Sequence, residues 1–104
     1  DRYILSFIRA FVNYAIHQCF LEPNQILANM SKIIHLPSII VHGSLDTVCP
    51  LEQASLLHEN WPNSELWIIE GAGHSCREAA IANALVEATN NLKTLERRRL
   101  GETK

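Results

Sequence analysis

Apolar side chains recur at helical spacing near the start of the chain, at Ile4, Phe7, Ile8, Phe11, Val12 and Ala15. Intervals of three and four residues place them on one face of a 3.6-residue repeat, so residues 3–17 are predicted to form an amphipathic helix. A turn is expected at LEPNQ, residues 21–25. A second short helix is predicted over NQILANMSKIIH, residues 24–35, where Ile26, Leu27, Met30 and Ile33 repeat the spacing.

The pattern changes after Pro37. SIIVHG, residues 38–43, is apolar at successive positions and closed by glycine, which suits a strand covered on both faces, as in a parallel sheet. PLEQASLLHENWP, residues 50–62, has Pro50 to start a helix, a face of Ala54, Leu57 and Trp61, and Pro62 to stop it. ELWIIE, residues 65–70, reads as a second strand. After the GAGHS bend, residues 71–75, an Ala-, Leu- and Glu-rich run predicts a long helix from about Arg77 to Arg98. The order β-α-β-α defines an α/β class with parallel strands joined by a right-handed crossover. Two strands alone leave unpaired backbone edges, so this parallel sheet is read as incomplete. Its missing strands are expected from the rest of a larger α/β domain or from a partner chain, a second copy included.

Composition narrows the class without naming a chemistry. The chain has 104 residues, 47% hydrophobic and 19% charged, with a formal net charge of -2. No basic field is present to attract nucleic acid or an anionic membrane, and neither is expected as a partner. The C-terminal ERRRLGETK is expected to end the last helix and fray in solvent. The apolar N-terminal stretch is interrupted by Arg2, Arg9, Asn13 and His17, unlike a signal peptide or a membrane anchor. Cys19, Cys49 and Cys76 show no CxxC spacing and read as free thiols of a reducing cytoplasm. The first residue is Asp1, and the chain is expected to be a processed product or a piece of something larger. No cofactor is expected.

Parallel sheets gather chemistry at the carboxyl ends of their strands. HGSLDTVCP follows the first strand and presents Asp46; EGAGHS follows the second and presents His74. Strands joined by one crossover helix are commonly neighbours, so this acid and imidazole are placed to meet. The carboxylate would fix the ring tautomer and stabilise the imidazolium formed when the other nitrogen takes a proton. Gly71 and Gly73 would let the backbone bend under the ring. No G-x-S-x-G elbow accompanies the pair: Ser44, Ser75, Cys49 and Cys76 lie in these loops but in no such turn, and Ser75 adjoins His74 itself. The nucleophile is therefore expected outside this chain. Plainer readings stand beside this one. Asp46 is also of the type that caps local amides in a turn, and His42, Asp46, His74, Cys49 and Cys76 could converge on a metal, although the short paired spacings of structural zinc are missing. His17, His35, His42 and His58 are read as structural, and Trp61 and Trp67 as packing groups.

The stretch LPSIIVHGSLDTVCPLEQASLLHENWPNSELWIIEGAGHS resembles the C-terminal part of proline iminopeptidases, α/β-hydrolase-fold serine peptidases, and ALVEATNNL continues the likeness to about residue 92. The likeness is specific, because an HG-x-x-D-x-V-C-P loop, then LH-x-x-W-P, then GHS in one order is not a generic hydrolase pattern. The resemblance implies that Asp46 and His74 match the triad acid and base, in the chain order Ser, Asp, His. It implies that the serine elbow and oxyanion-hole loop precede residue 1. It further implies that residues 1–36 are a helical segment from the end of the cap domain, and that residues 37–104 are the C-terminal part of the hydrolase core. The implied substrate is a peptide with N-terminal proline. The likeness weakens upstream of residue 37, where family members carry an E-N-H-Y-F-like cap segment whose glutamate holds the substrate's amino group. Alignment on Phe20 and Leu21, with Arg9 and Tyr14 in register, puts Phe11 at that glutamate and Asn13 at the histidine. Three readings stay open: another register, substitution by Glu22 as the substrate-binding acid, or loss of aminopeptidase specificity in favour of other esters or amides. A non-catalytic interaction module that completes its sheet with a partner is the alternative from a different class.

Overall fold

The computed structural model describes residues 1–101. In chain order these form α1 (Arg2–Ile16), α2 (Gln25–Ala28), β1 (Ser38–Gly43), α3 (Leu51–Glu59), β2 (Ser64–Ile69) and α4 (Ala79–Arg99), with 3-10 turns at Gln18–Phe20 and Met30–Lys32.

The first helix forms where the apolar spacing placed it. Asp1 caps it, a carboxylate oxygen accepting from the Tyr3 amide at 2.9 Å. At the other end His17 donates its Nδ1–H to the Asn13 carbonyl at 2.7 Å. The chain then reverses through Gln18, Cys19 and Phe20, all at positive φ (50°, 56° and 57°), a conformation that L-residues adopt at a cost. Phe20 folds back on α1, stacked on His17 at 4.7 Å and edge-on to Tyr14 at 5.5 Å between ring centroids. No residue of α1 is buried. Among the described residues no single helix is long and apolar enough to cross a membrane.

The helix predicted over residues 24–35 is broken into α2 and a 3-10 turn. Asn29 is the cause: its side-chain amide donates back to the Gln25 carbonyl at 2.7 Å and its backbone leaves the helical region. Asparagine competes in this way with continued helical pairing. The turn that follows buries Met30.

β1 and β2 pair in parallel, Ser38 opposite Ser64 through Gly43 opposite Ile69. α3 makes the crossover between them and α4 returns along the sheet. Both helices pack on both strands and not appreciably on each other, which places them on opposite faces. The helix residues buried against the sheet are mostly alanines: Ala54 from α3, and Ala84 and Ala88 beside Ile81 from α4. The α4 positions are separated by three and four residues and form one stripe, and alanine lets the helix backbone approach the sheet closely.

Trp61 lies beyond α3, which ends at Glu59; Asn60 closes it by donating to the Leu56 carbonyl at 2.8 Å. The Trp61 indole N–H instead donates to Leu36 at 3.0 Å, and the Ser38 amide donates to Asn63 at 3.0 Å, fixing the entry to β1 against the entry to β2. His58 donates to Ser64 Oγ at 2.7 Å, which donates to the Trp61 carbonyl at 2.7 Å. α4 begins at Ala79, two residues after the predicted start, because Glu78 turns back toward the preceding loop. Arg97, Arg98 and Arg99 in its last turn complement the helix dipole. Residues 102–104 of the basic run lie outside the described residues.

Candidate active site

The loops leaving β1 and β2 extend the parallel pairing past the strands. Ser44 donates its amide to Ile69 at 3.0 Å, Leu45 donates to Ala72 at 2.9 Å, and the Gly71 amide donates to Ser44 Oγ at 2.9 Å. This approach depends on Gly43. A Cβ there would overlap the carbonyl oxygens of Gly73 and Ala72 and stand 2.7 Å from the Ala72 carbonyl carbon. Gly71 is needed for a different reason, since it turns the chain at φ 74°.

The result is a direct contact between the two candidate residues. His74 donates its Nδ1–H to Asp46 Oδ2 at 3.0 Å. Asp46 Oδ1 accepts from the amides of Val48 and Cys49, each at 2.9 Å. The carboxylate therefore does both things its residue type allows, capping its own turn with one oxygen and orienting a ring with the other. Its side chain is only 5% exposed. Withdrawal from water favours the neutral acid, but the hydrogen bonds from Cys49, His74 and Val48, together with attraction to the His74 ring, outweigh it and hold the carboxyl below its ordinary value.

His74 is placed differently. Its side chain is 53% exposed, and with Nδ1 committed to Asp46, Nε2 is the nitrogen left to exchange a proton. The loop beneath it is fixed by Glu78, whose two carboxylate oxygens both accept from the Gly73 amide at 3.1 Å. Such charge-assisted bonds are stronger than neutral ones. Ser75 Oγ is engaged by the Arg77 amide at 3.1 Å.

His42 reaches the same point: its Nε2 lies 2.8 Å from the Cys49 carbonyl and 3.5 Å from Asp46 Oδ2. Cys49 enters this network through its backbone, and the Cys49 and Cys76 thiols are exposed. Among the described residues no three His, Cys, Asp or Glu side chains are grouped to hold a metal ion. Glu22 is exposed, and its amide donates to Gln25 Oε1 at 2.9 Å; no polar contact joins it to Asp46 or His74. Phe11 is 65% exposed and lines an open apolar groove with Phe7, Ala10, Tyr14, Ala15 and Cys19. The sequence reading missed Glu78 and the packing role of Gly43. The glycine following the histidine in VHGSLD was the available signal for a close backbone approach.

A parallel β-α-β-α unit with an acid–imidazole pair at its strand tips places the chain in the α/β class, with the equipment for proton transfer. No family model matches it. Among curated proteins it is 42% identical over 91 residues to a probable proline iminopeptidase of Leptolyngbya boryana, covering 86% of this chain and 28% of that protein. It is 42% identical over 90 residues to a proline iminopeptidase of Xylella fastidiosa, covering 86% and 29%. A proline iminopeptidase of Arabidopsis thaliana is 38% identical over 96 residues, 91% of this chain and 25% of that protein. By sequence the chain is similar to proline iminopeptidases, and it spans about a quarter of the length of these relatives.

Proposed function

We propose that this chain supplies the acid and the base of a serine aminopeptidase that releases N-terminal proline from peptides. The observation that carries the reading is the 3.0 Å hydrogen bond between His74 Nδ1 and Asp46 Oδ2 at adjoining strand ends, in a chain similar to proline iminopeptidases. Asp46 stays ionised, fixes the ring with Nε2 unprotonated, and stabilises the imidazolium. His74 Nε2 takes the proton from a serine hydroxyl supplied by a part of the protein outside this chain. The serine oxygen attacks the carbonyl carbon of the first peptide bond, and the same proton is given to the leaving amine. A water molecule, deprotonated in the same way, then releases the acyl group.

In this account residues 37–104 are the C-terminal part of an α/β-hydrolase core and residues 1–36 the end of its cap. The isolation of α1 from the sheet supports that division. The substrate's amino group is assigned to Glu22, because Phe11 stands where the family's acid is aligned and cannot pair with an ammonium. Free, exposed Cys19, Cys49 and Cys76 accord with a cytoplasmic setting.

The test is a segment exchange. Residues 37–101 replace the matching segment of the Xylella fastidiosa relative, and hydrolysis of a prolyl arylamide is followed. The exchanged enzyme is expected to turn over, with loss of about 10⁴-fold in kcat on Asp46→Asn and of order 10⁶-fold on His74→Ala. Full activity in either variant refutes the assignment. Exchanging residues 1–36 as well tests the substrate: loss of prolyl activity with retained ester hydrolysis selects a hydrolase of other esters or amides. A second reading, an interaction module that completes its sheet with a partner chain or a second copy, is favoured by the two open sheet edges. Light scattering separates it, since a folded monomer counts against assembly.

A further inference from the structure

We infer that His42 is a positioning residue for Asp46, a brace that closes the acid loop and aims its amides at the carboxylate; its bearing on catalysis rests on the function proposed above. His42 is the second-last residue of β1, and its side chain is 15% exposed. Its Nε2 lies 2.8 Å from the carbonyl oxygen of Cys49, seven residues on. A carbonyl only accepts, so Nε2 carries the proton and donates it. The peptides on either side of Cys49 are thereby held at both ends of their reach: the carbonyl is fixed by His42, while the Cys49 amide, with that of Val48, donates to Asp46 Oδ1.

Without this bond the loop would be shaped chiefly by the carboxylate it is meant to place. Pro50, at the head of α3, makes no side-chain capping bond, so the helix start offers no substitute anchor. The ring's second approach, 3.5 Å to Asp46 Oδ2, is too long for a hydrogen bond of its own. It leaves Oδ2 to His74, whose Nδ1 is at 3.0 Å. His42 and His74 are the two ionisable side chains in contact with the Asp46 carboxylate. One acts on the loop that carries the acid, the other receives its orientation.

Asp1 and Asp46 are the chain's only aspartates, so carbon-13 labelling of aspartate gives two carboxyl resonances and follows Asp46 directly by NMR. His42→Gln puts an amide N–H near the place of Nε2 and is expected to keep the Asp46 titration where it lies in the unaltered protein. His42→Phe fills the space without the donor and is expected to move that titration upward, toward an ordinary carboxylate. A titration unmoved by His42→Phe, or moved as far by His42→Gln, overturns the inference. If His42→Phe does not fold, the unaltered protein still decides: nitrogen-15 spectra of the His42 ring are expected to show the Nε2–H tautomer, and the Nδ1–H tautomer overturns it. His74→Ala separates the two claims. An Asp46 titration that moves with His42→Phe but not with His74→Ala leaves the brace standing and removes the acid–imidazole reading; the reverse removes the brace alone.

Discussion

The N-terminal helix of this chain is richer in apolar residues than the sheet region, yet it is the sheet region that buries them. From Ser38 onward, the apolar stripe of α4 is pressed onto a hydrogen-bonded sheet, and Ile81 retains 6% exposure. In α1 the stripe is as regular, yet Phe7, Phe11 and Ile8 face solvent, Phe11 at 65%. The difference is the presence of a paired surface to pack against. Two strands with their backbone groups satisfied make a platform for α3 and α4, whereas α1 touches little beyond its own following turn. Amphipathicity states what a helix requires and leaves open what will meet the requirement.

The largest expected effect lies at the point where the sheet region becomes a site. Gly43→Val drives a side chain into the Gly73 and Ala72 carbonyls, and a loss of about 3 kcal/mol or more in denaturant unfolding is expected. The Asp46–His74 contact should be lost with it, seen as coincidence of the His74 ring signals with those of Asp46→Ala. Unchanged stability would show that the two loops do not approach as described.

Next is a matched pair of truncations across the two regions. Ile81→Ala is expected to destabilise by about 2 kcal/mol through lost burial and a residual cavity, while Phe7→Ala should stay within about 0.5 kcal/mol because its ring is already in water. Equal effects would erase the contrast. A smaller effect concerns acid. Asp46 has its carboxyl held below the ordinary value of 3.8, so its contribution is complete above that value and is lost as pH falls through the lowered folded-state value. Asp46→Asn should therefore flatten the acid side of the stability profile and leave its shape near neutral pH unchanged. Removal of residues 1–28 should have the smallest effect on the site, with chemical shifts of the Val48, Cys49 and Gly73 amides retained. Amide exchange should show the same order, fast in α1 and slow in β1 and β2.

The sheet region was the more legible in sequence, for a physical reason. SIIVHG and ELWIIE are short apolar runs bounded by Pro or polar turns, and each strand falls within a residue of its expected bounds. The helix over residues 24–35 was less legible because spacing reports only side-chain periodicity, while Asn29 acts on the backbone. Trp61 fitted the helical face by count, but the helix had already ended, and its indole was taken by Leu36, 25 residues away in sequence. The meeting of Asp46 and His74 could be expected from strand order. What holds them there could not, because Glu78 on Gly73 and His42 on Cys49 are contacts between a side chain and a backbone group, which leave no pattern in spacing.

The central claim is the hydrogen bond from His74 to Asp46, and the most direct measurement is the ring tautomer of His74 in mildly alkaline solution, read from nitrogen-15 NMR. An Nδ1–H ring with a bare Nε2, changed on Asp46→Ala, is expected. A ring protonated at Nε2, or one indifferent to that substitution, would contradict the claim.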